Sequence, residues 1–215
     1  MRLGARRAAR ARTYKLCSLL LLYPDEELLA ARDELRGAVA ALRRSPAAEP
    51  LERFLDWWTG QEPLALQQQY VETFDLHKRS GLYVTFYGEG DRRQRGPALL
   101  RLKRLYRAAG LPLEGSELPD YLPVMLEFAA DAPEARGEIV LHEHRAAIEL
   151  IRHGLHERAT PYAHVLDAIC LTLGDPSAAD RARAVKLAAA GPPQELVGLE
   201  AFAPPEIVPS REARR

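Results

Sequence analysis

The chain has 215 residues, of which 30 are basic and 30 are acidic, so its formal net charge at pH 7 is zero. This length is enough for one sizeable hydrophobic core, which favours a single domain. A neutral chain has no overall electrostatic attraction to nucleic acid or to an anionic membrane, and no run approaches the roughly 20 apolar residues that span a bilayer.

The two cysteines, Cys17 and Cys170, are too few for a disulfide framework and do not have the spacing of metal ligands. Both lie in apolar runs with helical periodicity. This pattern favours buried structural thiols in a reducing compartment.

The N-terminal residues are basic and precede an apolar run from Leu16 to Tyr23. This arrangement imitates a secretory signal, but the run ends at Pro24 without a small-residue cleavage site. We therefore expect residues 1–12 to form a flexible basic arm and residues 13–23 to form the first core helix.

Most of the remaining chain shows a helical pattern of apolar residues. Leu51, Phe54 and Trp58 are one example, because a spacing of three and four residues places side chains on one helix face. With proline or acidic residues at the starts and glycine or basic residues at several ends, the pattern predicts helices over residues 24–43, 51–59, 63–74, 97–109, 120–131, 133–157, 160–173 and 177–190.

The predicted fold class is therefore all-α, a single-domain bundle of about eight or nine helices over residues 13–190. Residues 191–215 contain five of the chain's 16 prolines and no helical period. We expect them to form a C-terminal tail without a core of its own.

Residues 75–95 show no long period, and a loop of this length in a compact domain is usually functional or contains hidden structure. Leu82, Val84 and Phe86 alternate with polar or aromatic residues, which fits a strand and also a short helical turn. We favour the turn, because the sequence offers no second strand for pairing.

The segment from Glu117 to Phe128 predicts a helix with a well-defined start. Pro119 should lie outside the helix, because an interior proline removes a backbone donor. Asp120 is the predicted N-cap, and Pro123 then falls in the first turn, where a missing N–H costs nothing. Thr160 is the predicted N-cap of a later helix.

Familiar catalytic motifs are missing from the sequence, including the Walker phosphate loop, the Rossmann glycine fingerprint, Gly-x-Ser-x-Gly and His-Glu-x-x-His. One predicted helix contains His142, His144, His153 and His156. His142 and His144 point about 200° apart on a helix, whereas a tetrahedral metal site needs three or four converging ligands. Hydrogen-bonded or solvated histidines are favoured, and a metal-dependent all-α hydrolase that uses the His142–His156 helix is the alternative function.

Three motifs carry a resemblance to a known family. They are Tyr70-x-x-x-Phe74-Asp75, Leu82-Tyr83 leading to the run from Gly90 to Gly96, and Leu118-Pro119-Asp120-Tyr121-Leu122-Pro123 followed by Leu126-Glu127-Phe128. From about residue 70 to residue 128 the chain resembles the NarJ family, the cytoplasmic assembly chaperones of respiratory nitrate reductase, within the TorD/DmsD-like redox enzyme maturation proteins. The family commonly has His where this chain has Tyr121.

The resemblance implies a TorD/NarJ-like helical fold and a cytoplasmic chaperone that is not an enzyme and needs no cofactor of its own. Its partner would be the catalytic (alpha) subunit of respiratory nitrate reductase, bound mainly through the N-terminal segment. The chaperone would assist molybdenum cofactor insertion and assembly of the membrane complex. Neither nucleic acid binding nor direct membrane insertion is expected, since a DNA-binding regulator would need a basic stripe beyond the N-terminus.

The resemblance also implies a peptide-binding site, in which aromatic residues supply contact area and arginines supply paired donors. The alternative for its charged part, Asp91 to Arg95, is a solvated loop with a local ion pair. The candidate client-binding residues are Tyr83, Tyr87, Asp91, Arg92, Arg95, Leu118, Asp120, Tyr121, Leu122, Leu126 and Glu127.

Overall fold

Helices form 74% of the structure. The computed structural model describes residues 2–77, 80–89, 95–133 and 136–190, and in these ranges the fold is all-α, as predicted. The α-helices are α1 (Arg2–Leu20), α2 (Glu26–Ala30), α3 (Arg32–Ala40), α4 (Ala48–Thr59), α5 (Pro63–Tyr70), α6 (Val84–Glu89), α7 (Arg95–Ala108), α8 (Leu122–Asp131), α9 (Arg136–Glu143), α10 (Arg145–Glu157), α11 (Ala163–Leu173) and α12 (Ala178–Ala190). A π-helical segment, Val71–Asp75, follows α5 directly.

Two long predicted helices are each divided, which raises the number of helices above the predicted eight or nine. Ala31 separates α2 from α3, and its N–H is shared between the carbonyls of Glu27 and Leu28. His144 separates α9 from α10, and its ring Nδ1 lies 2.9 Å from the carbonyl oxygen of Val140. A hydrogen bond from a side chain to a nearby backbone carbonyl competes with the backbone hydrogen bonds of the helix.

Residues 2–12 belong to α1, so the predicted flexible arm over residues 1–12 is corrected for the part that the structure describes. This segment is rich in alanine and arginine, which are strong helix formers. It is also tied to the bundle, because Arg10 Nε lies 2.8 Å from Glu138 Oε1 and Arg7 donates to the carbonyl of Ala132 at 3.3 Å. The predicted tail, residues 191–215, lies outside the described residues.

The centre of the bundle is formed by α1, α8 and α11. Helix α1 packs on α8 and α11, α8 packs also on α9, and α11 packs also on α4 and α10. An aromatic cluster joins α4, α5, the π-helical segment and the start of α11, with ring centroids 4.9 to 6.0 Å apart. The members of the cluster are Phe54, Trp57, Tyr70, Phe74 and Tyr162. Because buried aromatic rings dominate core energetics, this cluster holds α5 and the π-helical segment in place.

The two cysteines are free and buried, as predicted. Burial raises the pKa of the Cys170 thiol to about 12, so the thiol is protonated at neutral pH. Cys17 is fully buried as well, and burial raises its pKa further.

None of the described helices combines the length and the apolar character that crossing a lipid bilayer requires.

Candidate functional site

Two segments that are distant in sequence meet at Tyr83 and Tyr121. The backbone N–H of Val84 donates to the Asp120 carbonyl at 2.9 Å, and the N–H of Leu122 donates to the Leu82 carbonyl at 2.8 Å. These two bonds make a single antiparallel bridge. Helix α6 starts directly after the bridge, so the predicted short helical turn is confirmed.

Asp120 is fully buried beneath this bridge. Its Oδ2 accepts a hydrogen bond from Thr85 Oγ1 at 2.6 Å and one from an Arg95 Nη2 at 3.3 Å. The same carboxylate therefore joins the start of α8 to α6 and to α7.

The predicted N-caps are wrong at both positions. Tyr121 is the N-cap residue of α8, so Asp120 lies one residue too early and its carboxylate faces Thr85 and Arg95 instead. At the later helix Tyr162 is the N-cap residue, and Thr160 Oγ1 has no partner among the described residues. Pro123 lies in the first turn of α8, as predicted.

Tyr83 and Tyr121 form a half-buried aromatic pair with ring centroids 5.3 Å apart. The guanidinium carbon of Arg95 lies 5.7 Å from the centroid of the Tyr83 ring, within the range of a cation–π interaction. The Tyr83 hydroxyl donates to Glu117 Oε1 at 3.1 Å. Burial, together with the negative charge of Glu117, raises the pKa of Tyr83 to about 12, so the phenol remains a neutral donor at physiological pH.

The Tyr121 hydroxyl lies 2.9 Å from the Tyr70 hydroxyl, which in turn lies 3.0 Å from the carbonyl oxygen of Leu21. A carbonyl oxygen only accepts, so Tyr70 donates to Leu21 and Tyr121 donates to Tyr70. Burial raises the pKa of Tyr121 and of Tyr70. Tyr121 is thus a neutral donor, and its hydroxyl is linked through Tyr70 of α5 to the backbone of Leu21, the residue that follows α1.

The other candidate residues lie in different environments. Tyr87 is half-buried and its hydroxyl donates to the Gly81 carbonyl at 3.0 Å, and Leu118 is half-buried. Leu122 and Leu126 are fully buried in the core. Glu127 is exposed and is paired with Lys15 of α1, away from the tyrosine pair.

The structure therefore brings together Tyr83, Arg95, Asp120 and Tyr121, and it leaves Glu127 apart. Asp91 and Arg92 lie outside the described residues. Four residues that shape the site are absent from the residues predicted from the sequence. Tyr70 is one of them, and the sequence did mark it, because it starts one of the three motifs. The other three are Thr85, Tyr106 and Glu117, and each contacts a residue that is distant in sequence. Thr85 donates to Asp120, Glu117 accepts from Tyr83, and the Tyr106 hydroxyl donates to the Pro119 carbonyl at 2.7 Å.

Two histidines of α10 lie beside acidic side chains, and His153 Nε2 is 3.4 Å from Glu157 Oε1. His156 Nε2 and an Nη1 of Arg152 both lie 2.9 Å from Asp167 Oδ1. Within the part of the chain that the structure describes, no group of three or more His, Cys, Asp or Glu side chains is arranged to hold a metal ion. The alternative of a metal-dependent hydrolase gains no support from this arrangement.

Arg152 pairs with two carboxylates, Glu149 and Asp167. Through these two groups, the stability of the protein should depend on pH. Burial alone would raise each pKa, but hydrogen bonds and positive charges outweigh burial and lower both values; the partners are Arg145 and Arg152 for Glu149, and His156 and Arg152 for Asp167. A carboxylate with a lowered folded-state pKa contributes stability above its unfolded pKa and loses it as the pH falls through the folded value.

We expect the free energy of unfolding to decrease as the pH falls below the ordinary carboxyl pKa values of 4.5 for Glu149 and 3.8 for Asp167. Urea denaturation followed by circular dichroism from about pH 6 to about pH 3 measures this. The decrease should be shallower in Asp167→Asn and unchanged in the control Asp33→Asn, which alters an exposed residue of α3. An equally steep decrease in Asp167→Asn would contradict the assignment.

Comparison with known proteins places the sequence motifs in a defined family. The sequence model of the family described as "Nitrate reductase delta subunit" matches residues 40–168, which include all three motifs.

The chain belongs to the nitrate reductase delta subunit family.

Two relatives from bacteria are similar over about three quarters of the chain. It is 36% identical over 162 residues to the probable nitrate reductase molybdenum cofactor assembly chaperone NarJ of Bacillus subtilis, which covers 75% of this chain and 88% of that protein. It is 34% identical over 156 residues to the nitrate reductase molybdenum cofactor assembly chaperone NarJ of Escherichia coli, covering 72% of this chain and 66% of the relative.

One relative is much longer than this chain. The nitrate reductase-like protein NarX of Mycobacterium tuberculosis is 36% identical over 159 residues, and the match covers 74% of this chain but only 24% of NarX. The chain therefore corresponds to about a quarter of that protein.

A solved structure shows the same fold. The crystal structure of a putative redox enzyme maturation protein from Archaeoglobus fulgidus matches with a TM-score of 0.55 and 26% identity, covering 74% of this chain and 90% of that one. The fold implied by the motifs is thereby confirmed.

Proposed function

We propose that this protein is a chaperone for the assembly of nitrate reductase and assists insertion of the molybdenum cofactor. The observation that carries the proposal is the match to the Bacillus subtilis relative, a probable nitrate reductase molybdenum cofactor assembly chaperone, over 88% of that relative's length. The family match over residues 40–168 agrees with it.

The partner in this proposal is the catalytic subunit of respiratory nitrate reductase, bound in the cytoplasm through its N-terminal segment. The chaperone would act by binding and not by catalysis. A helix or an extended peptide laid against an apolar surface with a polar rim is the physical mode that fits such a client.

The proposed contact surface consists of the half-buried residues near the bridge. Aromatic residues and arginine are enriched at protein interfaces, because they combine large contact area with directed donors. The candidates near the bridge that have exposed surface are Tyr83, Tyr87, Arg95, Leu118 and Tyr121, whereas the exposed Glu127 lies apart from them.

The fully buried candidates would contribute indirectly. Asp120 accepts from Arg95, whose guanidinium lies over the Tyr83 ring, so the carboxylate holds two contact residues in place. Leu122 and Leu126 fix α8 beneath them through core packing. Asp91 and Arg92 remain predicted members of the surface.

Co-purification tests the proposal. A tagged form of the protein, expressed in its host during growth on nitrate, should retain the catalytic subunit of nitrate reductase, and deletion of the subunit's N-terminal segment should abolish retention. Retention that does not require this segment would contradict the proposed binding mode, and no retention of the subunit would contradict the function.

Tyr121 supplies a specific prediction for the same assay. Tyr121→Ala removes the ring that packs on Tyr83 and should reduce retention of the client severely, whereas Tyr121→Phe keeps the ring and should have a mild effect. Loss of the hydroxyl removes one hydrogen bond to Tyr70, which costs about 1 kcal/mol of stability. Because tyrosine does not titrate near neutrality, retention should not vary between about pH 5.5 and about pH 7.5 through this position.

The control is Ile139→Ala, which removes an exposed apolar side chain from α9, a helix without a residue in the tyrosine pair or the bridge. Equal loss of retention in Ile139→Ala and Tyr121→Ala would show that the effect is not specific to the tyrosine pair. Thermal melts of each variant separate loss of binding from loss of folding.

A further inference from the structure

An arginine-lined cleft lies between the N-terminal half of α1, the end of α3 with the turn that follows it, and the end of α11. Its volume is about 1160 Å³. Five arginines line it, Arg6, Arg10, Arg12, Arg43 and Arg44, and none of the described residues that line it is acidic. The arginine-lined cleft is thus a concentration of positive charge in a chain whose net charge is zero.

Two of the five arginines are held in place by the protein. Arg10 Nε lies 2.8 Å from Glu138 Oε1, and an Nη2 of Arg10 lies 3.5 Å from the Tyr14 hydroxyl. Arg43 Nε donates to the Ala40 carbonyl at 3.1 Å at the end of α3. Because their positions are restricted, binding a ligand would cost less side-chain entropy at these two arginines.

The other three arginines, Arg6, Arg12 and Arg44, form no ion pair with any acidic residue in the described ranges. Like charges that share a concave surface repel one another, and a bound anion offsets this repulsion. The remaining lining is small or apolar, including Ala9, Gly37 and Leu171. Because these side chains are small, the cleft keeps enough space for a ligand between the arginines.

We propose that the arginine-lined cleft binds a soluble, multiply charged phosphate compound of about nucleotide size. Guanidinium groups match phosphate oxygens with paired hydrogen bonds. The cleft is concave, and at about 1160 Å³ it is somewhat larger than most small-molecule sites, so it has room for a ligand of this size. A planar membrane surface would not enter a concave site. An extended acidic peptide would bind more favourably to arginines arranged in a line along the surface than to five arginines around one cleft.

This inference does not rest on the proposed chaperone function. Arg6, Arg10 and Arg12 lie outside residues 40–168, the segment that the family model matches. The cleft is also separate from the tyrosine pair, because none of its lining residues belongs to the bridge.

Calorimetric titration of the full chain with inorganic tripolyphosphate tests the proposal. At about 0.15 M salt, which screens non-specific attraction, we expect saturable binding of one tripolyphosphate per chain. The variant Arg12→Gln/Arg44→Gln should weaken binding at least about tenfold, since each charge-assisted bond to phosphate is strong. ATP, titrated in parallel, should bind with a similar dependence on these arginines.

The matched control is Arg104→Gln/Arg107→Gln, which removes the same charge from exposed positions on α7. It should change the affinity less than about twofold, and thermal melts should show that both variants are folded. Lack of saturable binding, or an equal loss in both variants, would overturn the proposal. So would tighter binding of a decaglutamate peptide or of phosphatidylglycerol vesicles than of tripolyphosphate, because the site would then serve an acidic chain or a membrane.

Discussion

Gly137→Ala is expected to destabilise the protein by about 3 kcal/mol or more, because it forces backbone atoms apart. A Cβ atom at position 137 would lie 2.2 Å from the Cα of Ala129 and 2.7 Å from the carbonyl oxygen of Phe128. Both atoms belong to the backbone of α8, so α9 would have to move away from α8. Glycine at this position therefore sets the distance between the two helices.

The matched control is Gly37→Ala, because Gly37 is an exposed interior residue of α3 and a methyl group added there would have no neighbouring atom within 4 Å. There the substitution should stabilise the protein by about 0.5 to 1 kcal/mol, through helix propensity and a less flexible unfolded chain. Urea denaturation of both variants measures the difference. Equal stabilities of Gly137→Ala and the unaltered protein would refute the close approach of α8 and α9.

Asp120→Ala is expected to cost about 2 to 4 kcal/mol of stability, since it removes one partner from a buried charged hydrogen bond. Thr85 loses its acceptor and Arg95 loses its carboxylate, while Arg95 remains largely shielded with 19% of its side chain exposed. Asp120→Asn should cost less, because the amide oxygen still accepts from Thr85. Asp120→Ser should restore little, although serine would serve well if the residue were a helix N-cap.

The control for this prediction is Asp56→Ala, which removes an exposed ion pair with Arg36. Pairs of this kind contribute between zero and about 1 kcal/mol, so the control should be close to the unaltered protein in chemical denaturation. If Asp120→Ala were no more destabilising than Asp56→Ala, or if Asp120→Ser were fully stable, the buried contact of Asp120 with α6 and α7 would be refuted.

The sequence predicted those features that depend on local chemistry. Periodicity located the helices, Pro123 marked the first turn of α8, and Gly60 and Gly110 marked the ends of two helices. The short turn after Tyr83 was predicted because the sequence offers no second strand, although Tyr83 itself pairs with Tyr121 in a single bridge. These features could be predicted because proline, glycine and the spacing of apolar residues act within one or two helical turns.

Features that depend on distant contacts could not be predicted in the same way. The carboxylate of Asp120 could cap its own helix by local rules, but Thr85 and Arg95 lie 35 and 25 residues away and compete for it. The role of Tyr70 depends on Tyr121, 51 residues later. The need for glycine at position 137 depends on the backbone of α8, which no local pattern shows.

The most direct test of the proposed chaperone function is calorimetric titration of the purified protein with a synthetic peptide. The peptide should have the sequence of the N-terminal segment of the nitrate reductase catalytic subunit from the same organism, and a scrambled peptide of equal composition is the control. We predict saturable binding of one peptide per chain with a dissociation constant in the micromolar range or below, which corresponds to about 8 kcal/mol. The scrambled peptide should not bind, and Tyr121→Ala should weaken binding of the authentic peptide. Equal binding of both peptides, or no binding of either, would contradict the account.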